Sequence, residues 1–172
     1  MPSSSTSDQS HPVPAESFQP VAAVLAAILP GAGHAYLGET RRGVLIGAGV
    51  LSLFLGGLLV GGIGVVDRRE NFIWFLGQAL VGPIAFGVDY VHQTQFKIQE
   101  PNGRVRVAAP DEGRGPDGRA VRGEAPPYER SLGRVHELGT LFATVAGMMN
   151  LICIIDALYH TPRRRAAGGG AW

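Results

Sequence analysis

The residues of this 172-residue chain able to do chemistry are few: His34, Tyr36, Asp89, His136, Glu137, Asn150 and Asp156. His34 can act as a metal ligand or proton-transfer group, because imidazole does both near neutral pH. It follows Pro30-Gly31-Ala32-Gly33, however, and the carbonyls freed by such a turn need donors, which gives it ordinary structural employment. His136-Glu137 suggests zinc, but the fifth position of the motif is Thr140 where a second histidine is required, so no metal site follows. Asp89 and Asp156 stand near the ends of apolar runs, and Asn150 is the deepest strongly polar side chain of the last run. Catalysis at one interface would need His34, Asp89, His136 and Glu137 to converge from distant segments. No catalytic residue is assigned on this basis, no cofactor is implied, and the chain does not read as an enzyme.

These residues sit on strongly apolar elements. Residues 43–66 carry no charged side chain, and neither do 71–88 or 138–155. At 1.5 Å per residue, each run with its flanks is long enough to cross a hydrocarbon core of about 30 Å. An earlier block, 17–38, is broken at Pro30–Gly33 and either spans with a kink, the favoured reading, or dips in and returns. The expected fold is an all-α membrane protein: three firm transmembrane helices plus this broken helix, four spans in all. The charged turn 67–71 is expected to join the second and third helices as a hairpin, with Pro83 bending the third. Ala48, Ser52 and Gly56 form one small-residue line on the second helix, Gly139, Ala143 and Gly147 another on the last. Both lines are expected to pack within the chain, as are the pairs Gly43/Gly47 and Gly57/Gly61.

The domain plan is a disordered leader 1–17, hydrophobic helices 18–91, a polar Gly/Pro-rich loop 92–135, a last helix 136–160, and a basic then flexible tail 161–172. The loop holds six glycines and five prolines and is expected to be largely disordered, with a small hairpin across Pro101-Asn102-Gly103. Its eight basic and six acidic side chains are intermixed, so no nucleic-acid face forms. Cys153, the only cysteine, excludes an intrachain disulfide. With Arg41 and Arg42 on the loop's side, and Arg68, Arg69 and Arg163–Arg165 opposite, ten basic residues face five. The positive-inside rule then makes the loop cytoplasmic. On that topology Asp89 lies near His136 and Glu137, and Asp156 near Arg68 and Arg69.

The stretch Pro30-Gly31-Ala32-Gly33-His34-Ala35-Tyr36-Leu37-Gly38 resembles the turn that opens TM2-domain membrane proteins. It differs in carrying Ala35 where that family has a basic residue. Asp156 resembles the aspartate near the end of the TM2 module's second helix. The whole arrangement, with His136 to Thr140 opening the last helix, also resembles a family of uncharacterised bacterial integral membrane proteins over about residues 18–159. Neither resemblance implies a reaction. The leading function is a structural, accessory or protein-interaction role in a bacterial inner membrane. Its partners are membrane lipid and another membrane protein, or a second copy through small-residue faces. A small transporter or channel component is the alternative, and an interfacial lipid-modifying enzyme the third reading.

Overall fold

A computed structural model describes residues 17–129, 131 and 133–160. The expected leader before Ser17 and the tail after His160 lie outside the described residues. In chain order the elements are β1 (Ser17–Phe18), α1 (Pro20–Ile28), α2 (Ala32–Tyr36), α3 (Thr40–Gly61), α4 (Phe72–Ala79) and α5 (Pro83–Val91). They continue with β2 (Ile98–Gln99), β3 (Val105–Arg106), β4 (Glu112–Arg114), β5 (Ala120–Arg122), α6 (Arg134–Leu158) and β6 (Tyr159–His160). The chain is mostly helical, and two helices, α3 and α6, are long and apolar enough to span a membrane. Their 22 and 25 residues correspond to about 33 and 37 Å.

α3 and α6 run antiparallel and share the largest interface. Their backbones approach through glycine. A Cβ on Gly57 would lie 2.7 Å from the Gly139 carbonyl oxygen, and one on Gly139 would lie 2.7 Å from the Gly61 Cα. The expected line Gly139, Ala143, Gly147 is thus buried, as are Gly43, Gly47, Gly57 and Gly61. The line Ala48, Ser52, Gly56 is not. Ala48 and Ser52 are exposed, and a Cβ on Gly56 would meet nothing within 4 Å. The physical reason is angular: the α3 seam runs through Gly57 and Gly61, so residues one position away point outward.

The remaining helices are two hairpins that fold back on themselves. α1 starts at the Asp156 end of the pair, where Gln19 N–H donates to the Leu158 carbonyl at 2.8 Å and Ser17 pairs with His160. It runs inward for about 14 Å and turns at Pro30-Gly31, with Gly31 at φ 84°. α2 then returns to the same end. The broken first block is therefore re-entrant in shape, the less favoured of the two expectations. The expected third span also fails to form as one helix. α4 stops at Ala79, Gly82 takes φ 112°, and Pro83 begins α5, which brings Asp89 back beside Arg68. Pro83 lacks a backbone N–H and suits the first turn of a new helix, so the chain reverses where a bend was expected.

Residues 92–129 also differ from the expected disorder. A π turn (His92–Phe96) leads into the β2–β3 hairpin across Pro101–Gly103, and β4 pairs with β5. Salt bridges stand in for an apolar core: Arg106 holds Glu112 at 2.7 Å and Glu100 at 2.9 Å. That guanidinium, with the Ala109 N–H, keeps the Glu112 carboxyl down at about 2. Arg114 ties the loop down by donating to the carbonyls of Lys97 (3.0 Å) and Thr94.

Candidate functional site

Polar side chains gather at three places: the Asp156 end, the Asp67 end, and a point between the hairpin tips. At the first, α2 carries His34 inward, fully buried, and its Nε2 lies 2.7 Å from Asp156 Oδ2. Arg42, in the first turn of α3, donates to the same oxygen at 2.7 Å and to Glu39 at 3.0 Å. The expected pairing of Asp156 with Arg68 and Arg69 is overturned. Because the third hydrophobic run doubles back, Arg68 and Arg69 lie at the opposite end of the pair. Tyr36, on the outer side of α2, is exposed.

The Asp67 end is richer, and most of it escaped the sequence reading. Asp67 is 2% exposed. Its Oδ1 accepts from Arg69 N–H (2.9 Å), Glu70 N–H (3.2 Å) and Gln93 Nε2 (2.8 Å), while Oδ2 meets Lys97 Nζ at 2.6 Å. Lys97, the only lysine in the chain, is buried and also reaches Glu70 at 3.0 Å. Burial pushes the Asp67 carboxyl up, but the Lys97 hydrogen bond and charge outweigh it and hold the group below its ordinary value. His92 is buried next to this pair. Its Nδ1–H donates to the Val66 carbonyl at 3.2 Å, and its Nε2 accepts from the Tyr128 hydroxyl at 3.1 Å. Burial drives the imidazole below its usual value, against the pull of Asp67. Asp89 accepts from Arg68 N–H (2.9 Å) and Gln93 (3.1 Å), and Arg68 Nε lies 3.5 Å away.

His136 and Glu137 start α6 at this same end, half-buried and exposed respectively, so Asp89 does share their end as expected. Its hydrogen bonds and ion pair nevertheless go to Arg68 and Gln93. The four groups that interfacial catalysis would require are not assembled. His34 pairs with Asp156 at one end, and the other three lie at the far end. Among the described residues no group of three or more His, Cys, Asp or Glu side chains is placed to hold a metal ion.

Between the ends, Asn150 is fully buried on α6. Its Nδ2 donates to the Ala26 carbonyl at 3.2 Å and the Leu80 carbonyl at 2.8 Å. These oxygens belong to the last turns of α1 and α4, where helical carbonyls lose their partners. One amide therefore staples both hairpin tips to the central helix. Gln78 does similar work nearer the Asp67 end, donating to the Val65 carbonyl at 3.1 Å.

Two antiparallel apolar helices flanked by half-length hairpins, with polar side chains tying the breaks, define a helical protein of candidate membrane type. The chain belongs to a family of unknown function, DUF6677, whose model matches residues 21–168. No curated protein and no solved structure matches it. The family match covers both helical hairpins, both long helices and the described loop, and it carries no reaction to transfer.

Proposed function

We propose that this chain is a small integral membrane protein with a structural, accessory or protein-interaction role, built from two spanning helices and two re-entrant hairpins that enter from opposite faces. The observation that carries the reading is the inversion of side-chain size. Glycine, alanine and threonine make up most of the buried positions of α3 and α6, while many large apolar side chains face out, including Leu59 at 86% exposure and Ile73 at 84%. Only 28% and 33% of the apolar stretches of α3 and α6 are buried, too little for core helices of a water-soluble domain. Lipid offers no hydrophobic drive between helices, so close backbone approach through small residues supports a membrane setting.

The arginine count also supports an orientation. Arg68 and Arg69 join the loop's side in place of Arg41 and Arg42, so among the described residues nine basic side chains oppose two. The loop then faces the cytoplasm of a bacterial inner membrane. There its hairpins offer a polar surface to another protein, and lipid covers the apolar faces. The TM2-like reading of the His34 turn rests on its residues and on the approach of His34 to Asp156.

Membrane fractionation tests the proposal. The protein should stay in the pellet after alkaline carbonate extraction, and gentle detergent purification should bring down a stoichiometric membrane partner. Extraction into the soluble fraction would sink the membrane reading. A transporter role is the second reading, favoured by one observation: two broken helices meet at a buried polar side chain, as in transport sites built on discontinuous helices.

A further inference from the structure

We propose that the junction of Asn150 with the two hairpin tips binds a monovalent cation. Both hydrogens of the Asn150 amide are used, on Ala26 and Leu80. Its Oδ1 is buried and accepts from no donor among the described residues, an arrangement that carries a desolvation penalty unless something positive or donating sits against it. The hairpin tips that Asn150 joins present further backbone acceptors. The Ala27 and Ile28 carbonyl oxygens end α1 and crowd Gly82 so closely that a Cβ there would lie 2.7 and 3.0 Å from them.

The helix ends reinforce this. A C-terminal end carries negative partial charge, and the ends of α1 and α4 both converge on Asn150. The turn preceding α2 packs through Gly31 against Gly43 and Gly47 of α3, and α5, which starts beside the α1 carbonyls, opens with Pro83 and so brings one N–H fewer to offset them. No lysine or arginine occurs in 20–40, 70–96 or 135–160, so no basic side chain on these segments neutralises the ends. Asn150 lies about 5 Å from the midpoint of the 138–155 run, where bulk water is farthest away. Oxygen ligands and negative helix ends, with no carboxylate among Asn150 and its two acceptors, match a singly charged ion. A divalent one would need formal negative charge. The inference goes beyond the accessory role proposed above, and its failure leaves the fractionation result untouched.

The experiment compares the thermal midpoint of the detergent-purified protein in sodium, potassium, ammonium and N-methylglucamine chloride at equal ionic strength. The expected result is a saturable rise with at least one small cation and none with N-methylglucamine. A cation at about a hundred times its Kd raises the folded-to-unfolded ratio roughly hundredfold. Asn150→Leu should abolish the rise. Because that change also removes the staple, a second measurement uses the wild type with 13C-labelled asparagine side-chain carbonyls. The chain has three asparagines, Asn71, Asn102 and Asn150, and the Asn150 resonance should move when the stabilising cation replaces N-methylglucamine. Equal midpoints in all four salts would overturn the proposal, as would a rise that persists in folded Asn150→Leu or an unmoved Asn150 resonance.

Discussion

Gly56 and Gly57 are neighbours in sequence, yet alanine at the two positions should act in opposite directions. A Cβ on Gly57 would stand 2.7 Å from the Gly139 carbonyl oxygen and 2.9 Å from the Ala143 nitrogen, both rigid backbone atoms of α6. Restoring ordinary contact at 3.4 Å requires the helices to part by about 0.7 Å. A gap of that size along a close-packed seam forfeits roughly a quarter to a half of the dispersion energy of the atoms lining it, and overpacking of this kind costs about 1–3 kcal/mol. Gly56 has open space in the same direction. Both substitutions gain the same helix propensity, up to about 1 kcal/mol in water, so that term cancels between them. Gly57→Ala should therefore be less stable than Gly56→Ala by about 1–3 kcal/mol. Reversible unfolding in one detergent, followed by tryptophan fluorescence or circular dichroism, measures the difference. Equal stability, or greater damage at Gly56, would refute the α3/α6 register.

Three further outcomes follow from the same geometry. In a Cys153→Ser background, cysteines at Arg69 and Gly115 should react alike with an impermeant thiol reagent in intact cells, and one at Gly38 should react oppositely. Opposite behaviour of 69 and 115 would restore a full span for 71–88. Asp67→Asn strands Lys97 beside Glu70 and should cost about 3–5 kcal/mol, whereas Asp67→Asn with Lys97→Met should recover much of it. A double variant no better than the single would show that the Asp67–Lys97 pair does not organise this end. His92 has a folded-state pKa below its usual 6.5, so on acidification the unfolded chain takes up the proton first. Stability should then fall as pH drops through about 6.5 toward the folded value, and His92→Gln should remove that step. Asp67, also lowered, adds a loss only below its ordinary 3.8. An unchanged pH profile in His92→Gln would place the buried titration elsewhere.

The apolar runs were legible because length and the absence of charge constrain them strongly, and α3 and α6 appear where those runs lie. Reversal inside a run was harder to read. Pro30–Gly33 and Gly82-Pro83 use the same pair of residue types, in opposite order, yet only the first interrupts its run with two glycines and so leaves a reversal open beside the favoured kinked span. At the second, a lone Gly-Pro in an apolar stretch equally fits a kink. What decides is whether the freed carbonyls find a donor, and that donor, Asn150, stands 70 residues away from Leu80. Local sequence cannot reveal a partner supplied by another helix.

The same blindness moved the charged groups. Sequence alone puts Asp156 beside the wrong arginines, because a bend in place of the reversal at Gly82-Pro83 sets Arg41 and Arg42, and with them Arg68 and Arg69, at the wrong ends. The ten-to-five charge count is blind to that swap, since it exchanges two arginines for two. Asp67 and Lys97 are hidden from the sequence for a different reason. A carboxylate in a charged turn ordinarily faces water, and nothing in Asp67-Arg68-Arg69-Glu70 shows that the first of the four is covered. The available signal was Lys97 itself: in a chain that otherwise uses arginine throughout, a compact ammonium on a flexible stem fits a small buried site where a planar guanidinium does not. Burial of that ammonium is possible only because Asp67 and Glu70 meet it together. The turn and the loop therefore form one electrostatic unit, and residues 92–129 are ordered where their composition alone gives no reason for order.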